Sequence, residues 1–157
     1  MPDPALILVV EDNPDDAFLI QLSFEKAGIV NRLRTVKTGE EAIAYLKGAG
    51  PYADRAVHPL PRLLLLDLKL PGIDGFEVLR WIRQQPEFFK LRVVVVTSSA
   101  EVRDVNEAFR LGANSFILKP ADFMRFAEFS QALAGSWVWV DELPAWHLPP
   151  IPTLTAA

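Results

Sequence analysis

Four consecutive leucines, Leu63 to Leu66, run without a polar break straight into Asp67. A strand with one wet face alternates apolar and polar residues, so an unbroken run marks a strand buried on both faces, as in a parallel sheet covered by helices. Parallel neighbours need long crossover connections, usually helical, and the chain supplies them. "ALILVV" (5–10) predicts a buried strand. "EDNPDDAFLIQLSFEKAG" then opens a helix, with Asp12 or Asn13 placed to cap it, Pro14 in its first turn and Gly28 as its stop. "NRLRTVKT" (31–38) is a polar, edge-like strand and "GEEAIAYLKG" (39–48) a helix. After the leucine strand come a helix over about 74–85, the strand "RVVVVT" (92–97), a helix over about 101–111 ending at Gly112, and the strand "NSFILK" (114–119). A last helix begins near Asp122. Five such β-then-α units predict an α/β fold, a five-stranded doubly wound parallel sheet between helix layers.

At 157 residues the chain suits one domain with a short appendage. Lys and Arg number 16 against 20 Asp and Glu, a net charge of −4 that gives nucleic acid no electrostatic foothold. Cysteine is absent, which removes disulfides, thiolate catalysis and zinc–sulfur sites. No apolar run approaches the roughly 20 residues of a membrane span, and the N-terminus has no cationic region of the kind that opens a signal peptide. The expected location is the cytoplasm.

In open parallel sheets, ligands bind outside the carboxyl ends of the strands. The first strand leaves Glu11 and Asp12 there, the third Asp67, the fourth Thr97 with Ser98 and Ser99, and the fifth Lys119. Alone, Asp12 reads as a helix cap and Asp67 as the start of the turn at "LPGIDG". Thr97 and Lys119 alone read as solvated strand ends. Together they put three carboxylates, a hydroxyl and an ammonium on one rim. Two carboxylates about 4 Å apart repel by about 4 kcal/mol at an effective dielectric of about 20. They must take up protons or share a cation, and oxygen ligands without His or Cys favour Mg²⁺ or Mn²⁺.

With these residues in view, the sequence resembles the receiver domains of two-component response regulators. "LVVEDNPDD", "LLLLDLKLPGIDGFEVL", "VVVVTSSA" and "FILKP" match that family's segments in order, over roughly Leu6 to Leu133. The resemblance implies a flavodoxin-like receiver fold with Asp67 as phosphoacceptor. It implies Mg²⁺ held by Glu11, Asp12, Asp67 and the backbone carbonyl of Lys69. Thr97 is then the switch hydroxyl, Lys119 the phosphate-binding lysine and Phe116 the aromatic switch residue. Lys69 and Ser99 take positions that tune the lifetime of the phosphoryl group, and the Lys119–Pro120 bond is expected cis. Such a chain is not an enzyme beyond its own phosphorylation and dephosphorylation.

His58, in the loop "AGPYADRAVHPLP", and His147, in the tail, read as solvated loop and tail residues. No "GxxxxGK[ST]" loop exists to bind ATP, so the phosphoryl donor is expected to be another protein, a sensor histidine kinase. Two other enzyme and carrier classes fit poorly. An aspartate-nucleophile phosphohydrolase wants a second acid two places after the nucleophile, where this chain has Lys69. A flavodoxin-like electron carrier wants a hydroxyl- and glycine-rich loop where "EDNPDD" stands. A receiver-like scaffold that is never phosphorylated remains as an alternative.

Residues 1–135 read as the receiver and 136–157 as a C-terminal extension, helical then proline-rich, without room for an output domain. Together with the insertion before the third strand, the tail resembles the single-domain regulators paired with bacterial phytochrome kinases. On the last helix, Trp137 shares the apolar face that includes Phe123, Phe126 and Leu133. Trp139 points nearly opposite, and Phe129 and Val140 sit at the stripe's edge. Outward aromatics suggest a second surface, so Phe129, Trp137, Trp139 and Val140 are the expected contacts of a homodimer. In the family, receivers commonly pair through the face of the fourth helix, fifth strand and last helix.

Overall fold

The computed structural model describes residues 6–26, 31–98 and 101–119. Five strands, β1 (Ile7–Val10), β2 (Leu33–Val36), β3 (Leu63–Leu66), β4 (Arg92–Thr97) and β5 (Ser115–Leu118), form one parallel sheet in the order β2-β1-β3-β4-β5. Between them lie α1 (Pro14–Lys26), α2 (Gly39–Lys47), α3 (Gly75–Gln84) and α4 (Val102–Arg110). The fold class read from the sequence is the one observed.

The chain steps one way from β1 to β2, then doubles back past β1 to β3 and continues outward. Right-handed crossovers therefore put α1 on one face and α2, α3 and α4 on the other. On the second face, Leu8, Val10, Leu64, Leu66, Val93, Val95 and Phe116 pack with Ala42, Tyr45 and Leu46 of α2, Val78, Leu79 and Ile82 of α3, and Ala108 of α4. The alternate residues, Ile7, Val9, Leu63, Leu65, Val94 and Val96, are buried as well, as are Ile20 and Phe24 of α1. Burial on both faces is what removes the alternation from β1, β3 and β4. β2, at the sheet's edge, keeps it in part.

Asn13, not Asp12, caps α1: its side-chain oxygen accepts the backbone N–H groups of Asp15 at 2.9 Å and Asp16 at 3.3 Å. Asp12 is thereby left to the rim. Thr38 caps α2 and Asp74 caps α3, each accepting the N–H three residues on.

The insertion before β3 is irregular and mostly exposed, as expected, yet it is fastened to the body of the domain. It opens with a 3₁₀ turn at Gly50–Tyr52. Arg55 donates to the α2 carbonyls of Tyr45 at 2.8 Å and Leu46 at 2.7 Å, and to the carbonyl of His58 at 3.2 Å. Tyr45 donates its hydroxyl to Pro59 at 2.7 Å. His58 is no solvated loop residue. It is half-buried, its Nδ1 meets the Arg34 guanidinium of β2, and its ring stands edge-on to Tyr45 and Tyr52 at 5.9 and 5.2 Å between centroids. Helix ends leave carbonyls without partners, and Arg55 uses those of α2 to fasten the loop. The Gly28 stop, Ser99, the Lys119–Pro120 bond, the last helix, the dimer contacts Phe129, Trp137, Trp139 and Val140, and His147 lie outside the described residues.

Candidate functional site

The direction reversal in strand order falls between β1 and β3, and their carboxyl ends carry the acids. The parallel ladder sets their heights. Asp67 donates its N–H to Val10 at 3.1 Å, and Glu11 donates to Val36 at 3.0 Å. The residue after β1 and the residue after β3 are thus held side by side. One oxygen from each of Glu11, Asp12 and Asp67 lies within 4.8 Å of the others. Glu11 and Asp67 are buried, and Asp12 is exposed.

Behind Asp67 the backbone is fixed from α3. Gly75 donates to Leu68 at 2.9 Å, and a Cβ at Gly75 would stand 2.3 Å from the carbonyl oxygen of Asp67. Only glycine lets the helix come this close. The intervening loop is held from α2, where Glu40 accepts the N–H of Ile73 at 2.8 Å beside Gly72, whose φ is +74°.

Lys119 reaches into this acid group from the end of β5. Its ammonium bonds Asp67 at 2.8 Å, Asp16 at 2.9 Å and Glu11. Its own backbone N–H is held by the Thr97 carbonyl at 2.8 Å, which ties the ends of β4 and β5 together. Burial alone would favour a neutral lysine. The bonds from Asp67, Glu11 and Asp16 override it and hold the ammonium charged well above its ordinary range. For Glu11 the balance goes the other way: burial pushes its carboxyl up to about 7, with the charge of Asp67 adding to the effect and the bond from Lys119 opposing it.

Asp67 also accepts the backbone N–H of Lys69 at 3.2 Å. Thr97 is fully buried at the end of β4, and Phe116 is fully buried on β5. Since Val95 pairs with Phe116 and Thr97 with Leu118, Thr97 and Phe116 project from the same face of the sheet, one step apart. Glu11 and Asp12, Asp67, Thr97 with Ser98, and Lys119 therefore stand at the ends of β1, β3, β4 and β5, as expected. Asp16 was missed. It sits in the first turn of α1, and only its nearness to a lysine 103 residues later gives it a role.

The donor set fits a hard divalent cation. Three carboxylates converge, no His or Cys is among them, and the only cation in contact with them among the described residues is the Lys119 ammonium. Glu11, Asp12 and Asp67 would hold Mg²⁺ or Mn²⁺ there, and the ion would supply positive charge at the rim.

Comparisons with known proteins agree with this geometry. Residues 7–130 match the family model described as the response regulator receiver domain. The response regulator Rcp1 of Synechocystis sp. is 34% identical over 142 residues, covering 90% of this chain and 95% of its own. A crystal structure of the Mn(2+)-bound form of Rcp1 superposes with a TM-score of 0.80, at 34% identity, covering 90% of this chain and 100% of that one. The phosphorylated cyanobacterial phytochrome response regulator RcpA gives a TM-score of 0.82 at 34% identity, covering 90% and 99%.

Proposed function

The chain belongs to the response regulator receiver family, and from that premise we propose that it is a single-domain response regulator phosphorylated on Asp67 by a sensor histidine kinase. The observation that carries the reading is the Lys119 ammonium bonded to Asp67 at 2.8 Å, beside Glu11 and Asp12 and at the point where the strand order reverses.

In the proposed transfer, an oxygen of Asp67 attacks the phosphorus of a phosphohistidine in line. The new P–O bond forms as the P–N bond breaks, and the departing imidazole keeps the electron pair. Glu11, Asp12, Asp67 and the carbonyl of Lys69 would hold Mg²⁺ or Mn²⁺. Lys119 supplies a point charge to the incoming oxygens. The acyl phosphate adds about −1.5 to −2 charge at the rim, by analogy with other phosphorylated side chains. Thr97 then turns toward it, and Phe116 rotates into the space released. Their position on one face, next to α4, supports a shift between two packings of the α4–β5 surface and the last helix.

RcpA is a phytochrome response regulator, which supports a phytochrome as the kinase, and a bacterial phytochrome is the donor we favour. The site of action is then the cytoplasm, where a kinase finds ATP. No helix of the described residues is long and apolar enough to cross a membrane. Residues 1–135 form the receiver and 136–157 the extension. Output passes through protein partners, with a homodimer built on the α4–β5–last-helix face and the tail. The acidic net charge argues against direct nucleic-acid binding.

The test is incubation with acetyl phosphate and Mg²⁺ followed by intact mass. The parent should gain one phosphoryl group, and Asp67→Asn should gain none. Equal labelling of the variant would overturn the assignment. A parent that binds its kinase yet never takes label would favour the scaffold reading.

A further inference from the structure

We infer that Asp16 is a positioning residue of the phosphoryl site, one that restrains Lys119 in the unphosphorylated protein and so sets the rate at which Asp67 is phosphorylated. The inference rests on Asp67 being the phosphoacceptor and goes beyond it.

An ammonium has three donors, and Lys119 spends all three on carboxylates: Glu11, Asp16 at 2.9 Å and Asp67 at 2.8 Å. Two of these partners are indispensable to the chemistry. Asp67 is the group that reacts, and Glu11 converges with Asp12 and Asp67 in the acid trio. Asp16 belongs to neither set. It comes from the first turn of α1, its side chain is 31% exposed against 2% for Glu11 and 8% for Asp67, and it is not among the three acids whose oxygens converge. What it touches is the lysine.

A lysine that stabilises a transferring phosphoryl group must turn at least one donor toward it. Each carboxylate bond it already makes is an interaction of the ground state, and an interaction stronger in the ground state than in the transition state slows the step. Asp67 and Glu11 stay beside the lysine throughout. The bond to Asp16 draws the ammonium toward α1, and releasing it is part of the barrier.

Asp16→Asn should therefore speed phosphorylation. A partly exposed ion pair contributes up to about 1 kcal/mol, so the expected gain is about fivefold. The field of Asp16 also repels an anionic donor, and salt separates the two effects. Repulsion across solvent fades as the Debye length contracts to about 3 Å at about 1 M salt, whereas a partly buried bond is screened much less.

The experiment follows the mass increase of the full chain with time in acetyl phosphate at saturating Mg²⁺, in about 0.1 M and about 1 M salt. It compares the parent with Asp16→Asn, Asp16→Glu and Asp67→Asn. The expected result is a gain of about fivefold in Asp16→Asn that persists at high salt, with Asp16→Glu, which restores the charge, close to the parent. A rate in Asp16→Asn equal to or below the parent's would overturn the inference, and so would a gain that vanishes at high salt. Because the parent and Asp67→Asn are followed alongside, failure of the inference is distinct from failure of the phosphoacceptor reading. In the second case the parent takes no label, or Asp67→Asn takes as much.

Discussion

Glu11 is where the rim's conflict of charges comes to rest. It is 2% exposed, and burial pushes its carboxyl up to about 7, against an ordinary 4.5. A folded-state value above the unfolded one means that the native protein binds the proton more tightly. The associated stability is complete below about pH 4.5 and is lost as pH rises through about 7. A shift of this size is at most about 3 kcal/mol. Glutamine at this position carries no such proton, while Lys119 stays charged throughout the window. In metal-free buffer the melting temperature of the parent should therefore fall relative to Glu11→Gln between pH 4.5 and 7. Mg²⁺ added at pH 7 should raise the parent more, since it binds the ionised carboxylate. Melting curves in which the difference stays flat with pH would contradict this balance. Glu11, Asp67, Thr97 and Lys119 were legible in the sequence because each follows directly on an apolar run, and Asp12 stands next to Glu11. Asp16 was not. It lies inside a helix opening crowded with acids, and its partner is fixed only once β5 is laid beside β4.

At the scale of elements, the contact between α3 and the end of β3 is the least tolerant in the site. Gly75→Ala would set a methyl group 2.3 Å from the Asp67 carbonyl, an obstacle made of backbone that cannot turn aside. Overpacking of this kind costs about 1–3 kcal/mol. With backbone as the obstacle, urea unfolding should give a loss near the upper end, and phosphorylation should slow because Asp67 is displaced. A fully stable variant with a parental rate would mean that α3 can shift without disturbing the site. The strands were legible because doubly buried segments lose their polar alternation. The insertion was not, for a physical reason. Its order comes from Arg55 reaching back to the end of α2 and from His58 meeting Arg34, 24 residues earlier. Prolines and small residues within the loop itself signal only irregularity.

For the whole molecule, the proposed homodimer is the open quantity. Val102 and Phe109 of α4 and Leu118 of β5 are exposed, a large apolar content for one side of the described structure. Under the proposed pairing, sedimentation of the full chain should give a dimer at micromolar concentration, and truncation after Gly135 should weaken it. A monomeric full chain, or a truncated dimer of equal affinity, would remove the tail from the interface. That Trp137 and Trp139 form such contacts was argued from outward aromatics on the last helix. Periodicity along one helix fixes which side chains face outward, whereas what packs against them is set by the rest of the fold.

The strand order has a consequence for how the protein is made. β1 emerges first, yet it occupies an interior position, and one of its two neighbours is β3, with Ile7 beside Leu63. The separation is 63 − 7 = 56 residues. At about 5–20 residues per second, a ribosome leaves one edge of β1 without its partner for roughly 3 to 11 seconds. During that interval the nascent chain presents "ILVV" as a sticky edge, and a chaperone that binds short apolar strands has its best opportunity there.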